Sequence, residues 1–282
     1  MSKQGFSRRE FLKYSAPALM LVSPACRSWK TGSRSADRAF ADLFDGHSLS
    51  GWHTNKEKIG HGTGGRWQVA DGVLTGEQDP PGSGNGGILM TDKSYGDFEL
   101  QLDMAPDWGI DSGVFLRTNN KGECFQVYVD YRDGGDVGFI STERANGGQR
   151  MFIRPFYING ILDEEGNLKG FETLPDKREL AWQPGALQYH CTPEQWKDTW
   201  KIGEWNHLRI RCVGKYPEIT TWINHTKIAR FDGSTSPHPR NKKEELFDVL
   251  GREGAIGLQV HGGKGWPEGA KCRWKNIRIK SL

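Results

Sequence analysis

Tyr95-Gly96-Asp97-Phe98-Glu99-Leu100-Gln101-Leu102-Asp103-Met104, followed by Asp111-Ser112-Gly113-Val114-Phe115-Leu116-Arg117, is the stretch that decides the fold. Phe98, Leu100, Leu102 and Met104 alternate with Glu99, Gln101 and Asp103, the period-two pattern of a strand with one face buried and the other wet. The pattern recurs outward. Leu208, Ile210 and Cys212 alternate with His207, Arg209 and Arg211, and Ile256, Leu258 and Val260 alternate with Gly257, Gln259 and His261. Gly, Asn and Asp punctuate these runs, so the chain is expected to be all-β, a two-sheet β-sandwich from about residue 40 to 282. Helix is confined to a start at Thr192-Pro193-Glu194-Gln195-Trp196, with Thr192 as cap and Pro193 at the first helical position, and to a turn or two within 242–250. Residues 141–203 show few clean strands and many breaks, among them Gly147-Gly148, Pro155, Asn159-Gly160, Pro175 and Pro184. So long a weakly patterned stretch reads as an elaborated loop region walling one side of a ligand cleft.

The first 26 residues read as an address. Ser7-Arg8-Arg9-Glu10-Phe11-Leu12-Lys13 is a twin-arginine pattern, and the apolar stretch from Tyr14 to Ala25 is too short to span a bilayer. Ser23-Pro24-Ala25 suits a cleavage site, whereas Ser23 stands where a lipobox wants an aliphatic residue, which disfavours lipidation of Cys26. The expectation is export by the twin-arginine route to the periplasm or medium, with residues 27–39 as a Ser/Arg/Thr-rich tether. The net charge of +3 is that of the leader, where Lys3, Arg8, Arg9 and Lys13 face Glu10. The remainder is formally neutral, which gives no support to a nucleic-acid partner, and no other segment is apolar enough to cross a membrane. Cys124, Cys191, Cys212 and Cys272 are too widely spaced for a staple or zinc pattern and read as buried thiols.

Six short signatures along the chain carry a family resemblance. They are Leu43-Phe44-Asp45-Gly46 with Leu49-Ser50-Gly51-Trp52, Trp67-Gln68-Val69-Ala70-Asp71-Gly72-Val73-Leu74, Tyr95 to Leu100, Asp111 to Arg117, Gly257-Leu258-Gln259-Val260-His261-Gly262, and Trp274 to Lys280. In order and spacing they resemble the 3-keto-disaccharide hydrolase domain, a relative of the concanavalin A-like lectins and glucanases. The resemblance implies a jelly-roll sandwich whose concave sheet face holds a sugar. It also implies action on 3-keto-glycosides, in which the C3 ketone acidifies the C2 hydrogen, so that one base, an enolate stabiliser and an acid suffice. The Glu-x-Asp-x-x-Glu strand of laminarinase-type glucanases is absent, which argues against ordinary retaining hydrolysis.

Strand parity nominates the residues facing such a cleft. His261 leads, as the histidine of the family's Leu-Gln-x-His-Gly motif, sharing a face with Gln259 and titrating near neutral pH. Arg117 matches the family's Ser-Gly-Val-aromatic-x-Arg motif and would offer a planar fork to sugar oxygens or an enolate. Gln126 matches the glutamine of a Glu-x-Gln strand, with Tyr128 and Asp130 on its face. The family's glutamate falls on Cys124, so the catalytic carboxylate is open between Glu123, of wrong parity, and Asp130, with Glu99 and Asp103 the other carboxylates of favourable parity. Trp108, Trp222 and Trp266 are candidates to stack on sugar rings. No cofactor is required by the sequence, and a divalent metal stays open because scattered oxygen ligands leave no spacing signature. The alternative to an enzyme is an exported lectin-like module that binds carbohydrate without turnover.

Overall fold

The computed structural model describes residues 39–55, 59–146, 149–177 and 184–282; the expected leader and the tether through residue 38 lie outside them. The first strands are β1 (Ala41–Asp42), β2 (Trp52–Thr54), β3 (Arg66–Ala70), β4 (Val73–Glu77), β5 (Gly87–Thr91) and β6 (Phe98–Pro106). Then come β7 (Ile110–Thr118), β8 (Cys124–Tyr131), β9 (Val137–Asn146), β10 (Gln149–Ile153), β11 (Phe156–Leu162), β12 (Leu168–Pro175) and β13 (Tyr189–His190). After α1 (Pro193–Thr199) follow β14 (Asn206–Val213), β15 (Glu218–Ile223), β16 (Thr226–Asp232), α2 (Lys243–Leu250), β17 (Ala255–Val260) and β18 (Cys272–Ser281).

A 9-stranded sheet runs β13-β16-β15-β14-β6-β18-β4-β3 with β1 beside β18, and a 7-stranded sheet runs β10-β9-β8-β7-β17-β5-β2. Both are antiparallel. The β11–β12 hairpin stands apart as a third, 2-stranded sheet. The expected all-β sandwich is therefore present. Phe98, Leu100, Leu102 and Met104 of β6 are all fully buried, and they meet Val114 and Leu116 of β7, Val127 and Val129 of β8, and Leu258 and Val260 of β17 in one core. Each such side chain contributes on the order of 1.5–3 kcal/mol by leaving water.

Residues 141–203 depart from expectation. The described residues among them complete β9 and form β10, the hairpin, β13 and α1, and so are patterned structure and not an irregular loop. Pro155 separates β10 from β11, and Asn159-Gly160, which read as a break, lie inside β11 paired with Glu172 and Phe171. Phe156 and Ile158 of β11 and Phe171 of β12 join the core around the β8–β9 turn, where Trp196 Nε1 donates to the Val137 carbonyl at 2.9 Å. α1 carries the expected cap, with the Gln195 amide donating to Thr192 Oγ1 at 3.2 Å and Thr192 N to Gln195 Oε1 at 2.9 Å. Cys124, Cys191, Cys212 and Cys272 are buried free thiols. Among the described residues no helix is long and apolar enough to cross a membrane.

Candidate active site

The two sheets differ on their outer sides. Every residue of β8 is buried, as is nearly all of β7, so the side of the 7-stranded sheet away from the core is itself covered. Ile88, Met90, Phe115 and Cys124 form a small apolar cluster on that side under Ile59. The loop carrying Ile59 places His61 beside them, 3% exposed. Its fold depends on glycine: a Cβ on Gly62, at φ +127, would lie 2.3 Å from the Gly86 carbonyl oxygen. Asn55 completes the loop, donating from Nδ2 to the Gly62 carbonyl at 3.0 Å.

A polar relay crosses three strands towards His61. Gln126 of β8 donates from Nε2 to Gln259 Oε1 of β17 at 2.8 Å, spanning β7 over Gly113. A Cβ on Gly113 would lie 2.3 Å from Gln126 Nε2, so the crossing requires glycine there. Gln259 Nε2 in turn lies 3.2 Å and 3.3 Å from the two ring nitrogens of His61. Burial lowers the His61 pKa to about 3, with the charges of His261, Arg150 and Arg144 acting the same way, so this imidazole is neutral at neutral pH.

His261 sits edge-on to it, with ring centroids 4.9 Å apart. Its Nδ1 bonds the Gly262 carbonyl, which can only accept, so Nδ1 carries a proton and Nε2 is the nitrogen left facing the cleft. Nε2 lies 3.9 Å from Asp111 Oδ2. The turn after β17 is clamped by Gln78, whose Nε2 donates to the carbonyls of His261 at 3.0 Å and Gly263 at 2.9 Å. A cleft of about 280 Å³ opens here, lined by Asp111, Arg132, His261, Gly262, Gly263, Lys264, Gly265 and Trp266.

Arg132 joins two carboxylates on adjacent strands. Its Nε lies 2.7 Å from Asp130 Oδ1 and its Nη2 3.1 Å from Asp111 Oδ2, and 41% of its side chain stays exposed towards the cleft. Burial pushes the Asp130 carboxyl well above its ordinary value, with Asp111's charge adding to this and Arg132 opposing it. One guanidinium divided between two carboxylates cannot hold both ionised in a buried setting, so the upward direction prevails. A larger cavity of about 650 Å³ lies by the hairpin, lined by Arg154, Tyr157, Asp176 and Lys177 among others. The Arg154 guanidinium is committed to Asp136 and Asp176, each at 2.8 Å, and among the described residues no imidazole lines this cavity.

The structure gathers His261, Gln259, Gln126 and Asp130 on this side of the sheet, brings Trp266 to the edge of the cleft as a buried member of the main core, and separates the other nominees. Tyr128 shares the face but is buried, stacked on Phe152 at 6.1 Å. Arg117 is elsewhere: from Asp111, which meets His261, β7 runs about 20 Å to reach it. A bulge against β17 puts Arg117 at φ 53, and this reverses its parity. Its guanidinium turns to the Gly96 carbonyl at 3.0 Å, Asp97 at 3.1 Å and the Gly214 carbonyl at 3.0 Å, tying the two sheets together. Glu123 closes the β7–β8 turn at that same far end, accepting from Asn119 Nδ2 at 2.7 Å. Trp222 lies on the 9-stranded sheet beneath Arg209, 4.0 Å from the ring centre. Trp108 packs edge-on against Tyr131 at 5.0 Å and borders a different cavity.

Sequence parity missed His61, Asp111, Arg132 and Glu143. Glu143, 1% exposed, stands opposite Cys124 in the β8–β9 register and reaches His61 Nε2 at 3.7 Å. A histidine set between glycines in Gly60-His61-Gly62 was the available signal for one of them. Among the described residues no group of three or more His, Cys, Asp or Glu side chains is arranged to hold a metal ion.

The 3-keto-alpha-glucoside-1,2-lyase-like domain family matches residues 39–280. A 3-keto-disaccharide hydrolase of Bacteroides thetaiotaomicron is 23% identical over 86% of this chain and 78% of that protein. A candidate glycosyl hydrolase from Parabacteroides distasonis is 22% identical with a TM-score of 0.47, covering 86% of this chain and all (100%) of that one. A carbohydrate binding module from Bacillus subtilis is 12% identical with a TM-score of 0.44, covering 82% and 96%.

Proposed function

The chain belongs to the 3-keto-alpha-glucoside-1,2-lyase-like domain family, and from that premise we propose that it cleaves 3-keto-glycosides by elimination followed by hydration. The observation that carries this reading is His261, with its Nδ1 bonded to the Gly262 carbonyl and its Nε2 beside Asp111 in an open cleft. His261 Nε2 takes the C2 proton of the bound sugar. The C–H electrons move into the C2–C3 bond, and the negative charge gathers on the C3 oxygen. Arg132 supports that enolate, the role that the sequence assigned to Arg117, and Asp111 balances the imidazolium that forms. The enolate then expels the C1 substituent. Asp130, behind Arg132 and pushed up by burial towards its protonated form, is the acid proposed for the leaving oxygen. Water adds across the resulting C1–C2 double bond, its oxygen going to C1 and a proton to C2, so the net change is hydrolysis.

The test is turnover of a chromogenic 3-keto-glucoside beside its unoxidised parent. Release of the chromophore from the 3-keto compound alone is expected. Equal release from both defeats the elimination route, and binding without release leaves the lectin-like module as the function. We also propose export by the twin-arginine route, supported by Arg8-Arg9 in its sequence context. Replacing both arginines with lysine is expected to leave precursor in the cytoplasm.

A further inference from the structure

Glu143 is an ionisable side chain that the proposed reaction does not use, yet it is almost wholly enclosed. Its Oε2 lies 2.6 Å from Arg150 Nε, and its Oε1 lies 3.4 Å from Arg144 Nε and 3.7 Å from His61 Nε2. A carboxylate this buried costs several kcal/mol in desolvation unless its partners are fixed, and here two guanidiniums meet it. Both are partly exposed, with 49% of the Arg144 and 33% of the Arg150 side chain open to solvent, so neither needs the pairing for its own solvation. Remove the negative charge, and two cations stand uncompensated against His61, whose ring touches His261.

We infer that Glu143 is a positioning residue for the reaction at His261: it neutralises Arg144 and Arg150 and holds His61 in place, so that the neighbouring base can accept a proton. The inference rests on His261 being that base. The charged and titratable groups that bear on the histidine pair are Glu143, Arg144 and Arg150 from β9 and β10, Asp111 from β7, Arg132 after β8, Lys264 in the turn after β17, and the Cys124 thiol opposite Glu143. Uncompensated positive charge disfavours imidazolium, so loss of Glu143 weakens the base and moves the acidic limb of the pH profile downward.

The register makes the idea testable in a second way. Cys124 and Glu143 are directly paired on β8 and β9, so their side chains leave the same face at neighbouring points. A carboxylate moved from one strand to the other should still reach the same guanidiniums. The full-length protein would be assayed with a 3-keto-glucoside from pH 4 to 9, beside His261→Ala as control and with melting temperatures recorded. Glu143→Gln is expected to lower kcat/KM by roughly ten- to a hundredfold and to shift the acidic limb down, and Cys124→Glu combined with Glu143→Cys to recover most of both. Glu143→Gln with wild-type activity and limb overturns the inference, as does a loss of rate with an unmoved limb, which marks a purely structural role. If the exchange variant does not fold, the limb of Glu143→Gln decides alone. Full activity in His261→Ala instead overturns the reading of the base itself.

Discussion

The outer sides of the two sheets use the same residue types to opposite ends. On the 9-stranded sheet the charges stand in water. Arg209 pairs with Glu99 at 3.2 Å and His207 with Asp103 at 2.8 Å, and 39% and 43% of those two basic side chains are exposed. Such pairs are each worth at most about 1 kcal/mol, because water already solvates both partners. On the 7-stranded sheet Gln126, Gln259, His61, Asp130 and Glu143 are all under 10% exposed. Polar groups there have lost water and must be satisfied by each other, which costs stability that hydrophobic side chains would not. The difference teaches where chemistry belongs: a buried cluster of polar and charged groups is hard to explain as a solvated face, whereas an exposed ladder needs no further reason.

The largest effect expected from this contrast is on turnover. His261→Ala should lower kcat for a 3-keto-glucoside by roughly two to four orders of magnitude, the usual worth of a positioned acid–base group, while its melting temperature changes little. Full activity in that variant breaks the comparison.

Acid stability comes next. His61 has a folded pKa of about 3 against an ordinary 6.5. The unfolded chain therefore binds a proton that the folded one refuses, and stability falls as pH drops from about 6.5 towards 3, by roughly 1.4 kcal/mol per unit. Summed over that window the loss is on the order of 4 kcal/mol. Urea titrations at pH 7 and pH 4 should show His61→Gln losing less stability between the two than the wild type does. An equal loss in both means that His61 is solvated.

Arg117→Met should destabilise by about 2–3 kcal/mol, since three half-buried acceptors lose the charged donor of a buried guanidinium, and should leave the KM for a 3-keto-glucoside unchanged. A selective loss of kcat would return Arg117 to the reaction. The smallest effect is expected on the wet sheet: Arg209→Ala should change stability by less than about 1 kcal/mol and activity not at all. A larger effect in a thermal melt would mean that the outer ladder does more than face water.

Parity along single strands was enough to place Gln126, Gln259 and His261 together, because alternation is a local property and one buried face fixes all the others. Parity failed at Arg117 for the same reason: one bulge residue at positive φ inverts every inference drawn beyond it, and the bulge comes from the mismatch with β17, a strand far away in sequence. Glu143 was invisible in another way. The sequence shows that Cys124 lacks a carboxylate, but that the strand paired beside it supplies one is a fact of register between residues that turn chemistry alone did not join.

The sequence by itself determined the all-β sandwich, the strands of its core and a resemblance to a sugar-acting family, since hydrophobic alternation and short motifs are written along the chain. Only the tertiary structure decided which charges share a cleft. His61, Asp111, Arg132 and Glu143 come from different strands and loops, and each meets its partners through strand pairing and close glycine-permitted approach. Those contacts depend on distance through space, which the linear order of residues does not contain.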